Sequence, residues 1–254
     1  MTNTTLIRIL WIAGIFLFLG LVLSAVERKR SSDSMGLKVV IEDSLTANFI
    51  GKADVQLILE RYIGHQFDGM QIGNIDTRKA EAVLEKDPFI KDADVFVDAR
   101  NDINITIRQS KPVVRIMDEK GNNYYLDAEG EYLPMSPNFT ARVLVVTGRL
   151  PEFHQNYQEN EKHVLNSLMQ LVLHIKKDPF LEALTEQIYV DGDGEFSIIP
   201  KVGSYRIIVG KTDRLEEKLR NLKVFYKEGL PYGDWKKYKN INLKFKGQVV
   251  CTKR

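Results

Sequence analysis

DPFIKDADVFVDARNDINITI, residues 87–107, contains two runs in which every second residue is apolar. One run is Ala93-Val95-Val97 and the other Ile103-Ile105-Ile107, with Arg100-Asn101-Asp102 between them as turn chemistry. Alternation of period two puts the apolar side chains on one face, so the stretch predicts two strands joined as a hairpin. Upstream, the spacing of Ala80, Val83 and Leu84 predicts a helix that Asp76 caps and Pro88 ends. Before it, Val55, Ile58, Leu59 and Tyr62 predict another helix, stopped by Gly64. Leu37–Ile41 reads as a strand. The order strand, helix, helix, strand, strand predicts a small α+β unit over residues 37–110.

Lys111-Pro112 marks a boundary, and strand signals dominate after it. They lie at Val113–Met117, Tyr124–Leu126, Glu131–Leu133, Val143–Val146, Ile188–Val190, Phe196–Ile199 and Tyr205–Val209. Helical spacing interrupts them twice. Val164, Leu168, Leu171, Val172 and Ile175 form one stripe, and Leu215, Leu219, Leu222 and Tyr226 another. Asp213 and Glu216 have capping-box spacing, and Gly229 and Pro231 are stop signals for the second helix. The last strand is expected at Ile241-Asn242-Leu243-Lys244-Phe245-Lys246, followed by Gly247 and Val249-Val250. Residues 111–254 therefore predict a larger, mostly antiparallel β domain with two or three helices. The fold class is α+β.

Ile9–Val26 is an uncharged run of 18 residues. At 1.5 Å per residue it spans about 27 Å, close to a bilayer core of ~30 Å. It is apolar on every face, which a soluble amphipathic helix is not. Leu23-Ser24-Ala25 is a poor signal-peptidase site, because Leu23 stands where a small residue belongs. A retained transmembrane helix over 9–26 is expected, with a short tail at 1–8 and a linker at 27–36. Arg28, Lys29 and Arg30 against Arg8 and the α-amine lean weakly toward a cytoplasmic C-terminal body.

The 254 residues carry 36 Lys/Arg and 34 Asp/Glu, a formal charge of +2, which argues against a general nucleic-acid binder. Residues 211–254 alone hold 13 basic and 5 acidic residues, against 23 and 29 in the remainder. That asymmetry favours an anionic contact near the C-terminal end. One cysteine, Cys251, excludes an internal disulfide framework and a Cys-rich zinc module. Lys253 and Arg254 beside it could lower its thiol pKa. Hydrolase, zinc-protease and Walker motifs are absent from the sequence. His163 and His174 lie eleven residues apart, about 16 Å along a helix, too far to share a metal. His65 and His154 have nothing nearby to activate. Asp191-Gly192-Asp193-Gly194-Glu195 alternates acids as calcium loops do, but lacks the glycine and distal glutamate of an EF-hand. Asp-Gly between strands is foremost a hairpin turn. No catalytic residue, metal or cofactor is expected.

In order along the chain, these parts resemble the FtsQ/DivIB family of bacterial cell-division proteins. The segment Asp87–Val95 looks like the family's proline-aromatic run after the second helix of its polypeptide-transport-associated (POTRA) domain. Ile103–Ile107 followed by Lys111-Pro112 is similar to the last POTRA strand and the proline that opens the β domain. Tyr125-Leu126-Asp127-Ala128-Glu129-Gly130 is similar to a family hairpin. Where the family's first POTRA strand leads into a Gly-Asn turn, this chain has Glu42-Asp43-Ser44; Asn242 stands where aspartate is common. The resemblance implies a POTRA domain at 37–110, a β domain at 111–254, and a body outside the cytoplasm, at the inner membrane and the division septum. It also implies a non-enzymatic divisome scaffold that recruits small bitopic coiled-coil proteins of the FtsB/FtsL type.

The last strand alternates Ile241, Leu243 and Phe245 against Asn242, Lys244 and Lys246. If it forms a sheet edge, its free backbone groups are a template for a partner strand. The resemblance implies partner contacts at Tyr238, Lys244, Phe245 and Gly247. Edge lysines also protect against aggregation, and Phe245 shares the phase of core residues Ile241 and Leu243. Two rival readings are a membrane-anchored cell-wall enzyme and a POTRA-type translocation or assembly factor. The second is disfavoured by helices that would interrupt a membrane barrel.

Overall fold

The computed structural model describes residues 3–42, 48–64, 70–229 and 237–254, so Asp43, Ser44, His65 and Pro231 lie outside the described residues. Two compact units divide at Gln109/Ser110.

The first unit opens with α1 (Asn3–Arg30). From Trp11 onward its side chains are exposed all round, among them Phe16, Leu17, Phe18, Leu21 and Leu23. The helix is long and apolar enough to cross a bilayer. A helix bonds its own backbone, which lets this apolar cylinder sit in hydrocarbon. It continues through Glu27–Arg30, which the sequence reading places in a linker. The residues after it are bonded too. Asp33 bridges Gln71, the Ser34 N–H donates to the Met70 carbonyl, and the Met35 N–H donates to the Asn101 carbonyl. The segment is therefore fastened to the rest of the first unit.

That unit has β1 (Gly36–Glu42), α2 (Lys52–Ile63), α3 (Thr77–Leu84), β2 (Ile90–Val97) and β3 (Asp102–Gln109). Sheet order is β1-β3-β2, with β1 parallel and β2 antiparallel to β3. The alternating residues read from the sequence form its core: Ala93, Val95, Ile103, Ile105 and Ile107 pack with Val55, Leu59, Ala80 and Leu84. Each large apolar side chain so buried contributes about 1.5–3 kcal/mol. Gly64 ends α2 at φ +82°, and the Asp76 carboxylate accepts the Lys79 N–H to start α3. Buried Gln109 accepts N–H bonds from Phe49 and Ile50, tying the approach to α2 onto the end of β3.

Among the described residues, the second unit is a nine-stranded sheet with three α-helices. Its elements are β4 (Pro112–Asp118), β5 (Asn123–Asp127), β6 (Tyr132–Leu133), β7 (Leu144–Gly148), α4 (Val164–Lys177), α5 (Pro179–Leu184), β8 (Thr185–Val190), β9 (Phe196–Pro200), β10 (Arg206–Gly210), α6 (Leu215–Val224), β11 (Tyr238–Asn242) and β12 (Val250–Lys253). Strand order is β12-β11-β10-β9-β8-β7-β4-β5-β6. Five of the eight pairings are antiparallel; β4–β7, β7–β8 and β10–β11 are parallel. Parallel neighbours need a crossover, and α4–α5 and α6 supply two of them. Leu168, Leu171, Val172 and Ile175 of α4 and Leu215, Leu219 and Leu222 of α6 share one core with Val146, Ile188, Ile198, Ile207 and Ile241.

Three local expectations are corrected. α5 was not foreseen. Asp178 caps it, accepting N–H bonds from Phe180 and Leu181, and Pro179 fills the first helical position. Asp213 does not cap α6; Arg214 is the cap residue, at φ +51°, and Asp213 instead holds Lys218. The strand expected to Lys246 stops at Asn242, whose side chain accepts the Lys244 N–H in an Asx turn.

His163 caps α4, its Nδ1 accepting the Leu165 N–H at 3.3 Å. Burial, then His154, holds its imidazole below the ordinary 6.5. The folded state thus binds the proton more weakly than the unfolded chain, and stability falls as pH drops from about 6.5 through the folded value. Unfolding midpoints in detergent, measured at pH 7.5 and 5, should show that loss; His163→Asn, which keeps an acceptor, should reduce it.

Candidate functional site

A strand at a sheet edge exposes unpaired backbone groups, and among the described residues the nine-stranded sheet ends on β12 and on two-residue β6. β12 pairs antiparallel with β11 alone: Tyr238 opposes Lys253, Asn240 Thr252, Ile241 Cys251 and Asn242 Val250. The Arg254 N–H donates to the Lys237 carbonyl at 2.9 Å. Bonding alternates along an antiparallel pair, so from that bond Thr252 and Val250 face β11, while the N–H and C=O groups of Cys251 and Lys253 point away from it.

β11 itself lies between β10 and β12. The strand containing Ile241 is thus an inner strand and not the edge that the sequence reading expected. The open template moves to β12, next along the chain. The outer strand β2 of the smaller sheet is treated differently. Its Val95 N–H donates to Glu81 Oε1 at 2.9 Å and its Ala93 N–H to Glu85 Oε1 at 3.4 Å. Glu81 lies on α3 and Glu85 is its C-cap residue, so these carboxylates take two of the N–H groups a partner strand would need.

The loop from Leu243 to Val249 is held at several points. Arg214 Nη2 donates to the Lys244 carbonyl at 3.2 Å, and Lys244 Nζ meets both Glu195 oxygens at 2.7 Å. The Gly247 N–H donates to Glu217 Oε1 at 3.0 Å. Lys218, 3% exposed, donates to the Lys211 carbonyl at 2.7 Å and to Asp213 at 2.9 Å, which fixes the turn carrying Arg214. The bond from Lys218 holds the Asp213 carboxyl below its ordinary value, and Glu195 holds the Lys244 ammonium above its own. Between the held points Phe245 is 52% exposed, so it is not the core residue its phase suggested.

Residues 111–252 match the family model described as FtsQ/DivIB, C-terminal related, and residues 34–108 match a POTRA-like domain. The chain belongs to the FtsQ/DivIB family. No curated protein matches it. Its family domains point to a cell-division scaffold role, and members of the family are non-enzymatic. The FtsQ/DivIB match together with α1 fits a single-pass membrane division protein.

Of the four partner residues expected for this FtsQ/DivIB chain, Lys244, Phe245 and Gly247 share the held loop. Tyr238 lies at the far end of β11, half-buried, opposite Lys253 and edge-on to Phe225 at 6.3 Å. The sequence reading missed the clamp residues Arg214 and Glu217, which act on backbone groups about thirty positions away and leave no local signal. It also underweighted Val249-Val250, the β-branched pair that announces β12. The acidic string is spent locally: Asp191 accepts the N–H groups of Asp193 and Glu195, and Glu195 binds Lys244. Cys251 has a raised thiol pKa through burial, opposite to the lowering its basic neighbours suggested.

Gly210 ends β10 at φ +72°, and a Cβ there would lie 2.9 Å from Lys244 Cγ. Gly210→Ala should lower stability by about 1–2 kcal/mol in denaturant unfolding, through left-handed backbone strain and displacement of the Lys244 stem. Unchanged stability would mean that the stem is not seated there.

Proposed function

We propose that this chain is a bitopic scaffold of the division machinery that captures a partner by strand addition on β12. The partner would be a small single-span coiled-coil protein of the FtsB/FtsL type, met outside the cytoplasm at the septum. The observation that carries the reading is the outward backbone of Cys251 and Lys253, set on an edge whose other side is bonded to β11. Main-chain bonds would give affinity, and neighbouring side chains selection. Phe245 is the apolar anchor beside that edge, on a loop held by Arg214, Glu217 and Glu195, so little conformational freedom is lost on contact. The basic excess of residues 211–254 suits an acidic partner segment and speeds encounter.

Two other outer strands serve less well. β6 has two residues, and carboxylates take the Ala93 and Val95 N–H groups of β2. β1 is outer as well and carries Lys38, paired with Asp102. The body's orientation follows the family reading over the weak charge lean of Arg28, Lys29 and Arg30. A reporter fused after Arg254 should be active only as an extracytoplasmic domain.

Proline is tolerated on an edge strand where its missing N–H would have faced solvent. Lys253→Pro should therefore leave folding intact and weaken pull-down of the organism's own FtsB-type protein by about tenfold or more, roughly the loss of one or two good hydrogen bonds. Retention at the wild-type level would remove β12 and turn attention to β1. Phe245→Ala should reduce binding separately, without altering the unfolding midpoint.

A further inference from the structure

A groove of about 440 Å³ runs between the α4–α5 corner and α6, apart from β12 and its loop. Leu181 and Leu219 form a nearly buried floor, 2% and 4% exposed, and Val224 is the open apolar contact at 47%. Cations stand on both walls. Lys177 closes α4, while Arg220 and Lys223 lie three apart on α6 and Lys227 follows in the π-helical segment Phe225–Gly229 that continues it. Three-residue spacing puts Arg220 and Lys223 on one side of α6, and Lys227 lines the same groove. Two acids offset them in part: Asp178 is paired with Lys223, and Glu216 lies 3.8 Å from His174. The balance of the groove is positive even with His174 neutral.

We propose that this groove is a second docking surface, and that it takes an acidic amphipathic helix from a partner protein. The chemistry selects that occupant. A row of apolar side chains would pack chiefly on Val224, over the floor that Leu181 and Leu219 close, while carboxylates on both flanks of the same helix would meet Lys177 on one wall and Arg220 and Lys227 on the other. A concave, apolar-floored cleft with cations on two walls suits a rod better than a flat sheet of lipid headgroups. It also lacks the unsatisfied backbone edge that an extended strand requires. Strand addition at β12 and helix capture here use different residues and different physics, so either can stand without the other.

The test uses the full chain in phosphatidylcholine nanodiscs and a synthetic acidic peptide of about four helical turns, with Leu at helical spacing and Glu elsewhere. A scrambled peptide of the same composition is the control. The amphipathic peptide should bind about tenfold tighter than the scramble by fluorescence anisotropy. Arg220→Glu/Lys227→Glu should lower that affinity about tenfold, and Lys177→Glu on the opposite wall should lower it independently. Lys162→Glu/Arg142→Glu, two exposed cations outside the groove, should change it less than about twofold. Equal binding of both peptides, or equal loss from groove and control reversals, would reduce the effect to bulk charge and overturn the proposal. Flotation with phosphatidylglycerol vesicles that depends on Arg220 and Lys227, without selective peptide binding, would reassign the groove to a membrane surface.

Discussion

Backbone N–H and C=O groups must be bonded to something, and this chain meets that demand differently in different environments. In α1 the helix bonds its own backbone, which lets a chain exposed as Phe16, Leu17 and Phe18 lie in hydrocarbon. On β2, Glu81 and Glu85 bring carboxylates to the Val95 and Ala93 amides. On β12, Cys251 and Lys253 leave theirs open among the described residues. The contrast between β2 and β12 is what the proposed strand addition rests on.

An open edge is also an aggregation hazard, so its surroundings matter. β12 is short, Thr252, Lys253 and Arg254 are exposed polar residues, and the adjoining loop is rigidly held. The clamp is indirect: buried Lys218 fixes the turn before α6, and that turn positions Arg214 on the Lys244 carbonyl. Glu217, one turn into α6, takes the Gly247 amide. A helix on one side of the sheet thus sets the geometry of a loop at its margin, and that geometry leaves Phe245 exposed.

Much of this was legible in the sequence. Ala93, Val95, Ile103, Ile105 and Ile107 alternate because their strands bury one face, and α4 and α6 show helical stripes because they cover one side of a sheet. Less legible were features set by single side chains. The Asn242 side chain ended a strand whose apolar/polar alternation runs on to Lys246, and so moved Lys244 and Phe245 into a loop. Asp213 has cap spacing but is drawn to Lys218. α5 is short enough to escape a periodicity search, although Asp178-Pro179 is a start signal in its own right. The identity of the edge could not be read at all, because strand order follows from crossovers that bring β11 beside β10 and leave β12 outside.

Hydrogen–deuterium exchange on the full chain, with and without the FtsB-type partner, addresses the open edge most directly. Strand addition requires the Cys251 and Lys253 amides to exchange fast in the free protein and to become protected on binding, while Ala93 and Val95 stay protected throughout. Slow exchange at Cys251 and Lys253 before the partner is added, or no gain in protection after it, would contradict a free backbone edge as the acceptor.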